Sequence, residues 1–250
     1  MAEINCSVGC PHECRYCYAR VAALKKGIID SASDWTRSRI IDSEVKSSRP
    51  RYGGQVMFPT AHDIVEDNLE AALQVMSRLL EADNQLLIVS KPSRVCIEQI
   101  CDRFFAQRSQ ILFRFTITSR NDHILGVWEP GAPDYQERLE SVQLASKRGF
   151  QTSVSIEPML DLEDVRGMID EIEHYVSHSI WVGKLNRIEE RVKIDSGEVA
   201  SEVERIRNEQ QDRNMIDLYE ALKGRSLIRW KESVKLVVGL PLATESGLDI

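Results

Sequence analysis

The segment Gly9-Cys10-Pro11-His12-Glu13-Cys14-Arg15-Tyr16-Cys17-Tyr18 separates three thiols by three and then two residues. Three thiolates can ligate three irons of a cubane iron–sulfur cluster, and the fourth iron is then free to bind something exchangeable. A cluster used only for electron transfer takes four protein ligands, so an open corner points to chemistry. Zinc is the alternative, because four ligands drawn from Cys6, Cys10, Cys14, Cys17 and His12 would complete a tetrahedral site. Two Cys-x-x-Cys knuckles would favour zinc, and here there is one such pair, Cys14 to Cys17. Cys6 reads as a nonligand thiol near the end of the first strand, and His12 as a loop residue.

These thiols need a scaffold, and the sequence offers one by alternation. A strand near Ile4 to Val8 leads into the cysteine segment. A polar stretch from Ala32 to Arg51 reads as a surface loop or short helix. Gln55 to Thr60 is then a short apolar run, a buried strand that ends at Pro59. Val65, Leu69, Ala72, Leu73, Met76, Leu79 and Leu80 recur at spacings of three and four, one helical stripe facing a core. Strand Gln85 to Ser90 precedes helix Val95 to Gln107, and strand Ile111 to Thr118 precedes helix Tyr135 to Arg148. Strand Gln151 to Glu157 precedes helix Leu162 to Val176, and strand Ser179 to Val182 follows. Such alternation predicts an α/β fold of right-handed βαβ units on a parallel sheet. About six units make a partial (β/α)6 TIM-like barrel, short of the eight that close a complete one.

Residues 1–190 are expected to form this core, and 191–250 a C-terminal helical and strand extension packed on the same domain. Within the extension, Glu198 to Lys223 reads as one charged outer helix ended by Gly224, and Leu227 to Leu240 as a cover for the barrel mouth. Arg114, Thr116 and Thr118 share one face of their strand, opposite Phe113, Phe115 and Ile117. Ser153, Ser155 and Glu157 repeat the pattern opposite Val154 and Ile156. Two strands with polar inner faces predict an opened interior that holds a polar ligand, because a packed barrel fills its centre with branched apolar side chains. Cys96 and Cys101 fall in a helix as small core residues, and Trp128, Trp181 and Trp230 read as core or mouth-covering residues.

The order of motifs resembles the radical S-adenosylmethionine (SAM) superfamily, whose signature is Cys-x3-Cys-x2-Cys with an aromatic residue before the last cysteine, here Tyr16. Further along, Ser90-Lys91, Ile117-Thr118-Ser119 with Asp122, Glu129-Pro130, Ala132-Pro133, Arg138-Leu139 and Ser155-Ile156-Glu157-Pro158 resemble its spore photoproduct lyase-like branch. The resemblance implies that Cys10, Cys14 and Cys17 ligate a four-iron four-sulfur (4Fe-4S) cluster and that SAM is the second cofactor. Tyr16 would lie near the adenine, and Lys91 would pair with the SAM carboxylate. The superfamily ends its second strand with a Gly-Gly-Glu-type element for the SAM amino group. This chain has Pro59-Thr60 there, which makes Thr60 the candidate. Thr118, Ser155 and Glu157, at carboxyl ends of strands where barrel active sites assemble, are candidates for ribose and amino-acid contacts. Tyr18 would relay a hydrogen atom.

The implied reaction is reductive cleavage of SAM to a 5'-deoxyadenosyl radical that takes hydrogen from a substrate the sequence does not identify. A reductant such as flavodoxin or ferredoxin is implied as partner. Two other functions stand beside it: a nucleic-acid lesion lyase of the spore photoproduct lyase type, and a nonenzymatic iron–sulfur or zinc module. A net charge of −7 and a pI near 5.4 argue against long nucleic acid bound through neutralised phosphates. No stretch approaches the roughly 18 consecutive apolar residues that span a bilayer, nor is there a signal-like N-terminus, so no membrane association and a cytoplasmic location are expected.

Overall fold

Short apolar runs rich in branched and aromatic side chains become strands wherever helices cover them on one side. In the computed structural model, which describes residues 1–244, these are β1 (Ala2–Glu3), β2 (Ser7–Val8), β3 (Arg39–Ile40), β4 (Val56–Phe58), β5 (Leu86–Ser90), β6 (Ile111–Thr116), β7 (Gln151–Ile156), β8 (Ser179–Val182) and β9 (Ile228–Trp230). Seven of them form one sheet in the order β1-β4-β5-β6-β7-β8-β9, every neighbouring pair parallel. The remaining two, β2 and β3, form an antiparallel ribbon.

The helices are α1 (Tyr18–Lys25), α2 (Asp42–Lys46), α3 (Leu69–Glu81), α4 (Arg94–Arg103), α5 (Asp122–Trp128), α6 (Tyr135–Lys147), α7 (Val165–Ile172), α8 (Ile188–Arg191), α9 (Gly197–Glu209), α10 (Asp212–Leu222) and α11 (Glu232–Val238). Leu69, Ala72, Leu73, Met76, Leu79 and Leu80 of α3 join Phe58, Ile88, Phe113, Phe115, Val154, Ile156, Ile180 and Val182 in one core between sheet and helices. Arg114, Thr116 and Ser155 point the other way, into the interior. The architecture is a partial TIM-like barrel. Cys96 and Cys101 are fully buried in α4, and Trp128, Trp181 and Trp230 are buried. No helix among the described residues is long and apolar enough to cross a membrane.

Three elements differ from the sequence expectation. The first strand is split, because Ala2–Glu3 pairs with β4 while Ser7–Val8 turns away to pair with β3. The segment from Glu198 to Lys223 is two helices, broken at Gln210 and Gln211. The buried Gln210 amide donates to the Met159 carbonyl at 2.6 Å and accepts from the Leu185 N–H at 2.8 Å, so loops after β7 and β8 take up this side chain. Ile228–Trp230 is a seventh parallel strand on β8, followed by α11, rather than a cover.

Candidate active site

The cysteine loop is gripped from two sides. At its start Gly9 sits at φ +97°, and a Cβ there would lie 2.1 Å from the Arg37 carbonyl oxygen, so only glycine lets the chain run this close to the segment before β3. Cys10 N donates to the Trp35 carbonyl at 2.7 Å. On the far side, Arg15 donates from its backbone to the Trp128 carbonyl at 2.9 Å and from Nε to the Val127 carbonyl at 2.8 Å. Gly131 N donates to the His12 carbonyl at 3.1 Å. Cys17 caps α1 by accepting from Arg20 N at 3.4 Å.

So held, Cys10, Cys14 and Cys17 line one cavity of about 440 Å³ at the carboxyl ends of the strands. All six cysteines are free thiols. Burial pushes the Cys14 thiol up to about 12, with Lys91 opposing the rise and Glu129, Asp63 and Cys17 adding to it. Burial, then the Asp63 and Cys14 charges, likewise raise Cys10. Three thiols that converge on one cavity, with the Cys10–His12–Asp63 group beside them, form a donor set that suits a metal centre.

Beside the thiols sits a carboxylate that the sequence did not single out. Asp63 Oδ2 accepts from His12 Nδ1 at 2.8 Å and lies 3.7 Å from Lys91 Nζ and 3.8 Å from Cys10 Sγ. Its Oδ1 accepts from Lys91 N at 2.7 Å and Ser90 Oγ at 3.2 Å. Burial alone would raise its pKa; Lys91 and His12 outweigh that and hold it well below the usual carboxylate range. Asn68 fixes the loop by donating to the Asp63 carbonyl at 2.9 Å. Cys10, His12 and Asp63 each offer a ligand atom within 4.8 Å of the others, with His12 buried in the turn before α1. Nothing in its local sequence marks Asp63, because its partners come from segments remote in the chain.

The other expected residues are spread around this centre. Thr60, Lys91, Ser155 and Glu157 line the cavity with Tyr16 and Tyr18. Asn5 grips Thr60, accepting from its N–H and donating to its hydroxyl, both at 2.8 Å, and the Tyr18 hydroxyl donates to its carbonyl. Tyr16 lies beneath the Lys91 ammonium, 5.6 Å from ring centre to Nζ, and its hydroxyl donates to the buried Glu129. Thr118 is not in the lining: its hydroxyl donates to Glu129 at 2.9 Å, and Glu129 pairs with the buried Arg138 at 2.6 Å.

Known structures share this arrangement of elements. The chain superposes on spore photoproduct lyase bound to dinucleoside spore photoproduct with a TM-score of 0.52 and 15% identity, over 81% of this chain and 70% of that one. It superposes on Streptococcus suis SuiB bound to S-adenosylmethionine with a TM-score of 0.57 and 9% identity, over 97% of this chain and 53% of SuiB. The chain has a radical SAM, spore photoproduct lyase-like fold. This fold brings the cysteine loop and the ends of its β4 and β5 strands to one cavity. By sequence, the chain is 24% identical over 179 residues to the uncharacterized protein ORF301 of Acidianus two-tailed virus, covering 67% of this chain and 59% of the viral protein. No protein-family model matches the chain.

Proposed function

We propose that this chain is a radical SAM enzyme whose Cys10, Cys14 and Cys17 hold a 4Fe-4S cluster. The observation that carries the reading is the convergence of three thiols and the Asp63–Lys91 charge pair on one strand-end cavity. When bound, the cluster and SAM supply a 5'-deoxyadenosyl radical on reduction by a donor such as flavodoxin or ferredoxin. The chain's own residues bind and orient. An anion and a cation 3.7 Å apart are complementary to the zwitterionic amino-acid end of SAM, with Asp63 facing the ammonium and Lys91 the carboxylate. Asp63 takes the role expected of Thr60, whose N–H and carbonyl are already bonded to Asn5 and Tyr18. Tyr16, fixed by Glu129, backs the adenine; Ser155 and Glu157 serve the ribose, and Tyr18 is a hydrogen relay. Free thiols and a reducible cluster suit a cytoplasmic location.

Anaerobic reconstitution tests this. We expect about four irons and four sulfides per chain, and 5'-deoxyadenosine released from SAM under dithionite. Alanine at Cys10, Cys14 or Cys17 abolishes that release; retained release in any of the three defeats the assignment. The Cys10–His12–Asp63 group favours one second reading, a zinc site in a nonenzymatic module. Stoichiometric zinc in protein purified without added metal, together with no SAM cleavage after reconstitution, would establish it. The likeness to spore photoproduct lyase also keeps lesion repair in view, and salt-sensitive binding to lesion-bearing duplex is its test.

A further inference from the structure

A second cavity, of about 320 Å³, lies on the outer side of the cysteine loop and shares no lining residue with the first. Pro11 and His12, the two residues after Cys10, line it together with Glu66 and Asp67 before α3 and Glu137 of α6. His12 stands between the two cavities. Its side chain is 4% exposed, and Nδ1 is bonded to Asp63 Oδ2 at 2.8 Å. Asp63 is ionised and can only accept, so Nδ1 carries the proton and Nε2 of the neutral ring is an acceptor. That second nitrogen has no hydrogen bond among the described residues, and the outer cavity is the one His12 lines.

The carboxylates are held in place yet carry unbalanced charge. Glu66 Oε1 accepts from the buried Ser93 hydroxyl at 2.6 Å, and Glu137 Oε1 accepts from Arg94 N at 2.8 Å, which leaves each a second oxygen. Ser93 holds Glu66 below the ordinary carboxylate range. None of Glu66, Asp67 and Glu137 forms an ion pair among the described residues, and Arg94 sends its guanidinium to Glu98 at 3.3 Å instead. Three carboxylates and a ring nitrogen thus offer acceptors to a cation that the chain itself does not supply. A bare metal ion is a poor fit. The group of His, Cys, Asp and Glu with ligand atoms within 4.8 Å of one another is Cys10, His12 and Asp63, and none of these three carboxylates belongs to it. Pro11, Val65, Ala132 and Pro133 supply apolar wall, which suits the alkyl stem of a lysine or arginine whose head reaches the carboxylates.

We propose that this outer pocket receives a lysine or arginine side chain of the protein that delivers electrons to the cluster. Its position carries the role. Pro11 and His12 lie between the ligands Cys10 and Cys14, and Asp63 joins the His12 ring to Cys10 Sγ through separations of 2.8 and 3.8 Å. A donor docked here faces the ligand loop across one buried ring and leaves the SAM cavity free. One electron passes from the reduced donor to the cluster; no bond forms or breaks and no proton moves. The electron role rests on the radical SAM reading, whereas the cation pocket needs no cluster.

Two dyes of opposite charge test this. Reduced methyl viologen is a cation, and reduced propyl viologen sulfonate, the same bipyridine with sulfonate arms, is an anion. In anaerobic stopped flow, methyl viologen should bleach the reconstituted cluster at least about fivefold faster at low salt, the ratio falling toward one as salt is added. Glu66→Gln and Glu137→Gln keep the acceptor oxygen and remove the charge. Together they should slow methyl viologen at least about threefold without slowing the sulfonated dye or changing iron content. Asp217→Asn, exposed in α10, removes a charge elsewhere and should change neither rate. Equilibrium dialysis of oxidised methyl viologen against the chain without iron is the second arm, with binding weakened at least about threefold in the double variant. Equal bleaching by the two dyes, equal slowing by Asp217→Asn, or dialysis indifferent to Glu66 and Glu137 overturns the proposal, and SAM cleavage in the same preparation leaves the radical SAM reading standing. Binding that needs Glu66 and Glu137 in a chain that takes up no iron defeats the radical SAM reading, and the electron role with it, but not the cation pocket.

Discussion

Glu129 carries a negative charge with no exposed surface, balanced by an equally buried Arg138 and accepting hydrogen bonds from Tyr16 and Thr118. Burial would raise its pKa, but Arg138 and then Lys91 outweigh it, so the folded value lies below the ordinary 4.5. A depressed carboxylate contributes its full stability above the unfolded pKa and loses it as pH falls through the folded one. Glu129→Gln should therefore unfold at lower temperature at pH 7 and show a flatter loss of stability on acidification than wild type. Parallel melting curves for the two proteins below pH 4.5 would contradict the assignment. Glu129→Ala leaves Arg138 buried and unpaired, which costs about 3–5 kcal/mol in urea unfolding. The types and order of Glu129 and Arg138 were visible as a motif in the sequence, yet their partnership with Tyr16, and so their grip on the cysteine loop, was not.

At the scale of elements, the strand-end loops fix the thiols by close backbone approach. A Cβ on Gly131 would lie 2.2 Å from the Pro11 carbonyl oxygen and 3.2 Å from His12 Cα, both backbone atoms that cannot swing aside. Gly131→Ala should push the cysteine loop away and at least roughly halve the iron retained after reconstitution, with the far-ultraviolet spectrum of the helices unchanged. Full iron loading in that variant would show that the loop tolerates the shift. Gly126 is the contrast. It sits in α5 with open space around its Cα, so Gly126→Ala should raise stability by up to about 1 kcal/mol in denaturant titration and leave iron content alone. Helix α3 and strands β5 to β8 were legible because their periodicity is local. The break between α9 and α10 was not, because it depends on Gln210 reaching the Met159 carbonyl, 51 residues away.

Over the whole molecule, 39 acidic residues outnumber 32 Lys and Arg, a net charge of −7. A lesion-free duplex of about 30 base pairs should bind more weakly than about 10 µM at 0.15 M salt, with a log–log salt slope shallower than about −3, as few phosphates would be neutralised. A steep slope in fluorescence anisotropy would reveal a basic track that the acidic composition does not suggest. By itself, the sequence determined the α/β class, five of the seven parallel strands (β4 to β8), the three-thiol motif and the polar inner faces of β6 and β7. Each of these follows from types and spacings within a few residues. Tertiary structure alone decided the two outer strands β1 and β9, the place of Asp63 against Cys10, His12 and Lys91, and the meeting of Arg114 and Lys231 on Trp181. Those contacts join residues from separate segments, and a hydrogen bond or a charge pair across such a span exists only once the sheet has set the distance.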